Sequence, residues 1–147
     1  MFNENPGGGP DHAAALGILA RARPDRLKAL AEKVLETVDG INVVSNRTGL
    51  VMVPIRDTVH NVDFHLGEVL VSEAHIVDAA GIVGYGMVTG RDLERAMAMA
   101  VVDLRLASVA HDASIAAFLS SEGEFLTAQD DQRMRQVEAT RVEMETF

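Results

Sequence analysis

The chain contains no cysteine and no tryptophan, and only one tyrosine and four prolines among its 147 residues. Without cysteine there is no disulfide framework, no thiolate metal site and no thiol nucleophile, which fits a reducing, cytoplasmic compartment. Positive charge is scarce too. Thirteen basic residues stand against 22 acidic ones, and the formal net charge of -9 repels phosphate backbones, so nucleic acid is not an expected partner. No apolar run approaches the roughly 18 residues of a membrane span, and no basic stretch leads into a hydrophobic segment at the start. Neither a membrane span nor a signal peptide is therefore expected. Hydrophobic residues make up 48% of the chain against 24% charged, enough for one core but, at this length, not for two.

The opening MFNENPGGGP sets three glycines between two prolines, so residues 1–10 are read as a disordered tail and residues 11–147 as one α+β domain. From Asp11 an alanine-rich stretch puts Leu16, Leu19 and Ala20 on one helical face until Pro24 interrupts it. Pro24 then sits in the first turn of a second helix, with Leu27, Leu30, Ala31, Val34 and Leu35 at helical spacing and Gly40 as its stop. Beyond Ile41 the chain turns β-branched. Two strands flanking Arg47-Thr48-Gly49 and two flanking Ala79-Ala80-Gly81 read as a four-stranded antiparallel meander, with Pro54 marking an edge strand or bulge. Thr89-Gly90-Arg91-Asp92 reads as a capping box opening a long helix after the sheet, with a break near Ala110-His111-Asp112 where Asp112 caps a continuation. Glu122-Gly123-Glu124 reads as a loop, and roughly Asp130 to Glu145 as a C-terminal helical segment. The fold class is thus α+β: two N-terminal helices, a four-stranded antiparallel β-meander, a long helix and a C-terminal helical segment.

On the long helix Leu93, Met97, Ala100, Val101 and Leu104 form one apolar stripe, while Met99, Val102 and Leu106 form another roughly opposite. Such a helix needs two neighbours. One is the chain's own sheet; the other is either the amino-terminal helices or a partner chain, to which methionine adapts well.

Recognisable chemistry is sparse. The series Gly84, Gly86, Gly90 lacks the glycine at Thr89 that a dinucleotide loop needs, and close packing of the following helix explains these glycines without a ligand. No phosphate-binding GxxxxGK[ST] loop and no GxSxG elbow occurs. His65 and His75 lie about 33 Å apart along one strand and cannot share an ion. Glu73 and His75 share a face, but two ligands without a third make no metal site. Arg91, at a helix start, suits either an ion pair with Asp92 or an anionic ligand. Arg21, Arg23, Arg26, Lys28 and Lys33 form a basic cluster of the kind that usually makes a solvated helix face. No catalytic residue, metal site or cofactor is assigned.

Four segments, taken in order, carry a family likeness: Thr48-Gly49-Leu50-Val51, Leu66-Gly67-Glu68, Gly90-Arg91-Asp92 with Asp103 downstream, and Ala139-Thr140-Arg141-Val142-Glu143. From about Asp11 to Phe147 the chain resembles PhnG, a subunit of the bacterial carbon-phosphorus lyase system for phosphonate use, although Ala15, followed by Leu16, stands where that family usually has a tryptophan. The resemblance implies assembly with PhnI, PhnH, PhnJ and a PhnL-like ATPase. In the implied reaction the phosphonate displaces adenine from ATP at the ribose anomeric carbon. It implies no cofactor for this chain, the iron-sulfur cluster belonging to PhnJ and the nucleosidase-type chemistry mainly to PhnI. Residues then expected to meet a partner or substrate are Glu68, Glu73, Arg91, Asp92, Met99, Val102, Leu106 and Arg141. The first reading is a non-catalytic accessory subunit. Its alternatives are a subunit that lends Glu68, Glu73 or Arg91 to the PhnI active site, and a stand-alone anion-binding homodimer.

Overall fold

The computed structural model describes residues 11–142, so the expected tail at 1–10 and the last residues of the terminal motif lie outside the described residues. The order is α1 (His12–Arg21), α2 (Pro24–Leu35), β1 (Asn42–Arg56), β2 (Asp63–Val77), β3 (Val83–Thr89), α3 (Leu93–Ser108) and α4 (Ala113–Ala139). The α+β class holds, with one antiparallel sheet in the order β1-β2-β3. It has three strands, not four.

The expected hairpin at Arg47-Thr48-Gly49 is absent because β1 runs straight through it, pairing without interruption from Ser45 opposite His75 to Val53 opposite Gly67. Gly49 does not adopt a positive φ, and the unbroken partner strand outweighs its local turn preference. The other hairpin forms as read: Gly81 takes φ +83°, and the Asp78 carboxylate accepts the N–H groups of Ala80 and Ile82 at 2.9 and 2.8 Å. Pro54 also meets expectation, lying on an edge strand at a register shift.

Pro24 opens α2, but the helix stops at Leu35, and Gly40, at φ +70°, turns the chain several residues later. At the start of α3 the cap is Asp92 alone, its side chain accepting the Arg95 N–H at 2.9 Å, whereas Thr89 ends β3 and is exposed. The break before α4 falls where expected, with Asp112 accepting the N–H groups of Ser114 and Ile115. Glu122-Gly123-Glu124 is no loop. Helix α4 passes through it, because Ile115, Phe118, Leu119, Glu122 and Leu126 all lie on the buried side. The C-terminal segment belongs to this same helix, which ends at Ala139.

The core lies between the sheet and the helices. Gly84 and Gly86 let α3 rest directly on β3, since a Cβ on either would run into the backbone of α3 at Ala100 and Ala96. Helix α3 lies between this sheet and the amino-terminal helices. Met99 faces Gly86, while Met97, Ala98 and Val101 border Lys28, Ala31 and Leu35 of α2. No helix among the described residues is long and apolar enough to cross a membrane.

Beyond Val71, β3 no longer accompanies β2. Strands β1 and β2 continue as a two-stranded arm, from Leu50 opposite Leu70 to Arg56 opposite Asp63, reaching roughly 23 Å past the third strand. At its tip the Asp57 carboxylate accepts the N–H groups of Val59 and His60, both at 3.0 Å.

Candidate functional site

Side chains on the β2 face away from the helices bring together the polar cluster nearest to a site. Strand register sets Arg47 opposite Glu73 and Tyr85 opposite His75. The Tyr85 hydroxyl donates to Glu73 Oε2 at 2.7 Å, and Arg47 Nε donates to Glu73 Oε1 at 3.0 Å. Those two hydrogen bonds, Tyr85 first and Arg47 second, hold the Glu73 carboxyl below the usual glutamate value. Burial, with the neighbouring carboxylate, pushes the Tyr85 hydroxyl up to about 12. His75 meets the Tyr85 ring edge-on, the ring centroids 6.3 Å apart.

The chemistry open to this cluster is limited. Glu73 is an ionised acceptor with both oxygens engaged, and Tyr85 is a held donor; neither is poised for proton transfer near neutral pH. The cluster borders a depression of about 280 Å³ lined by Arg47, Thr48, Gly49 and Met87 among others. Among the described residues no group of three or more His, Asp or Glu side chains is arranged to hold a metal ion.

The α3 N-terminus is already filled. Ser72, fully buried, donates to the Gly90 carbonyl at 2.8 Å and accepts the Asp92 N–H at 2.9 Å, pinning a turn in which Gly90 takes φ +91°. The Asp92 carboxylate occupies the cap and has Lys28 Nζ 3.9 Å away. The expected Arg91–Asp92 ion pair is thus replaced by Lys28, and Arg91 is exposed beside the turn.

The remaining expected contact residues are scattered. Glu68 is exposed on the arm opposite Met52. Met99 and Val102 are 4% and 0% exposed within the chain itself, and Leu106 is half-buried against the core, so in this conformation the first two have no surface to offer a partner. Arg141 is exposed just past α4, 3.3 Å from Glu138.

Two buried acids went unmarked as charged-group anchors by local reading. Asp103, 5% exposed, accepts the Tyr85 N–H at 2.9 Å and lies 2.7 Å from His12 Nε2. Glu122, fully buried, takes Arg23 and Arg26 at 2.7 and 2.6 Å. The basic cluster running from the end of α1 through α2 is therefore only partly a solvated face. The signal was present: Glu122 falls in register with the apolar stripe of α4, where an acid needs a cation.

The family model described as "Phosphonate metabolism protein PhnG" matches residues 11–147. A protein of Rhizobium meliloti (strain 1021), "Alpha-D-ribose 1-methylphosphonate 5-triphosphate synthase subunit PhnG", is 33% identical over 130 residues, covering 88% of this chain and 83% of that one.

Proposed function

The chain belongs to the PhnG family, and on that premise we propose that it is a non-catalytic subunit of an assembly that forms α-D-ribose 1-methylphosphonate 5-triphosphate from ATP and methylphosphonate, releasing adenine. Its partners on this reading are PhnI-, PhnH- and PhnJ-like chains together with a PhnL-like ATPase. The observation that carries the proposal is the arm. Leu50, Met52, Val59 and Leu66 stand on it 63%, 59%, 80% and 65% exposed. A monomer leaves so apolar a projection bare at a cost in solubility, whereas a subunit buries it on assembly.

The test compares the purified chain alone with the chain co-expressed with those partners, each given ATP and methylphosphonate. Adenine release only from the co-purified assembly supports the proposal. Robust release by the isolated chain overturns it.

A second reading rests on a different observation, the Arg47–Glu73–Tyr85 cluster on the face of the sheet not covered by helices. Here the cluster borders a partner's active site and orients a bound group without transferring a proton. Glu73→Gln in the assembly would then lower turnover without releasing the subunit, and unchanged turnover rejects it. The anion-binding homodimer has less support, because the Asp92 carboxylate occupies the helix end that an anion would use.

A further inference from the structure

The helix-covered face of the sheet runs on into the arm. Ser72, Ala74 and Ile76 of β2 are buried on the helix-covered face, and alternation along the strand continues that face outward through Leu70 and Glu68, up to the register shift at Leu66. Leu50 and Met52 stand opposite Leu70 and Glu68 on the same side. Close to the body, α3 covers this face. Beyond the turn at Gly90 the apolar surface continues, but none of the described helices follows it.

In the middle of this bare surface stands Glu68, which has no salt bridge or side-chain hydrogen bond to any described residue and is flanked by Leu50, Met52 and Leu70. A covering surface that is wholly apolar would desolvate that carboxylate without compensation, so whatever seats here must bring a cation. A second copy of the chain does not fit. Two-fold stacking of this face on itself would bring Glu68 towards its own symmetry mate, between chains that each carry a net charge of -9. Helix-on-sheet packing already covers the proximal half of the same face, and an amphipathic helix is the element that continues it with least change of spacing.

Resting on the subunit reading above, we infer that the helix-side face of the arm is the seat of an amphipathic helix from a different chain, whose apolar side covers Leu50, Met52 and Leu70 and whose Arg or Lys pairs with Glu68.

The experiment uses the full-length chain co-purified with the other subunits of the synthase, with Met52 replaced by the photo-crosslinker benzoylphenylalanine and, separately, with Met52→Asp, Glu68→Gln and Glu68→Lys. The expected result is crosslinking to one helix of another subunit, at a site within one turn of an Arg or Lys. Glu68→Lys and Met52→Asp then weaken association at least tenfold and Glu68→Gln by less, and reversing the partner's basic residue to Glu restores binding of the Glu68→Lys chain. Crosslinks to a strand edge, to a loop or to a second copy of this chain overturn the inference, as does undiminished binding by both Met52→Asp and Glu68→Lys. In those cases wild-type association still stands, and with it the subunit reading. If the wild-type chain itself fails to co-purify, the subunit reading falls first and the inference falls with it.

Discussion

The Asp103 carboxylate accepts the backbone N–H of Tyr85 at 2.9 Å, so a helix side chain fills a ladder position that the edge strand β3 would otherwise leave open. Its other oxygen lies 2.7 Å from His12 Nε2, tying the start of α1 to the same point. Asp103→Ala strands the Tyr85 N–H and is expected to cost about 1–3 kcal/mol in urea unfolding. Asp103→Asn keeps an acceptor for Tyr85 and should lose less than half as much. Equal losses for the two variants would show that strand-edge capping is not what Asp103 contributes.

Close approach of α3 to β3 makes a sharper demand on size. A Cβ at Gly86 would meet the Ala96 carbonyl oxygen and lie 2.8 Å from the Ala100 nitrogen, and neither backbone atom can rotate aside. Gly86→Ala is expected at or beyond the upper end of the ~1–3 kcal/mol typical of overpacking. At Gly67 and Gly49 a methyl group would find nothing within 4 Å, so both should accept alanine with little change in the thermal midpoint. A tolerated Gly86→Ala alongside a damaging Gly67→Ala would contradict the packing of α3 on the sheet.

Close packing at Gly84 and Gly86 was legible in the sequence because strand parity alone places both glycines on one face. The Asp112 cap was legible because an N-cap is a local motif. The unbroken β1 was not. Arg47-Thr48-Gly49 has turn chemistry, and only continuous pairing with β2 overrides it. Helix α4 was hidden for a similar reason, since Glu122 depends on Arg23 and Arg26, nearly a hundred residues earlier in the chain. Of the candidate site, Glu73 stood out beside its neighbour His75, but its actual partners Arg47 and Tyr85 come from two other strands and depend on register. The bare arm follows from a comparison of strand lengths, which no local pattern states.

Asp112 provides a test by pH. A hydrogen bond from Ser114 and others from Arg105 and the start of α4 outweigh its partial burial and lower its carboxyl from 3.8 to about 2. A depressed folded value means that this contribution to stability is complete above about 3.8 and is lost as pH falls towards 2. It amounts to about 2 kcal/mol at most. Asp112→Ala should destabilise the protein by about 1–2 kcal/mol at pH 7 and flatten the acid limb of its thermal stability curve. An acid limb identical to wild type would show that the cap contributes nothing there.

The Glu122 cluster allows an asymmetric test, because its acid and its bases differ in exposure. The Glu122 side chain is 0% exposed, whereas those of Arg23 and Arg26 are 40% and 44% exposed. Burial pushes the Glu122 carboxyl up, but hydrogen bonds from the Arg23 side chain and backbone, with the charges of Arg23 and Arg26, outweigh it and hold the group below 4.5. Glu122→Leu removes the buried charge and leaves two arginines that can turn to water, so its effect should be small. The Arg23→Ala/Arg26→Ala double variant instead leaves a carboxylate buried without a cation, and should be less stable than Glu122→Leu by about 3 kcal/mol at neutral pH. That gap should narrow as pH falls towards 4.5, because without its arginines the buried carboxyl of the double variant takes up a proton in the folded protein at a higher pH than in the unfolded chain, while Glu122→Leu has no group there to titrate. Urea midpoints at pH 7 and pH 4 measure both effects. If Glu122→Leu were the weaker of the two at pH 7, attraction across the pair, rather than the cost of isolating a buried acid, would be what matters at this helix junction.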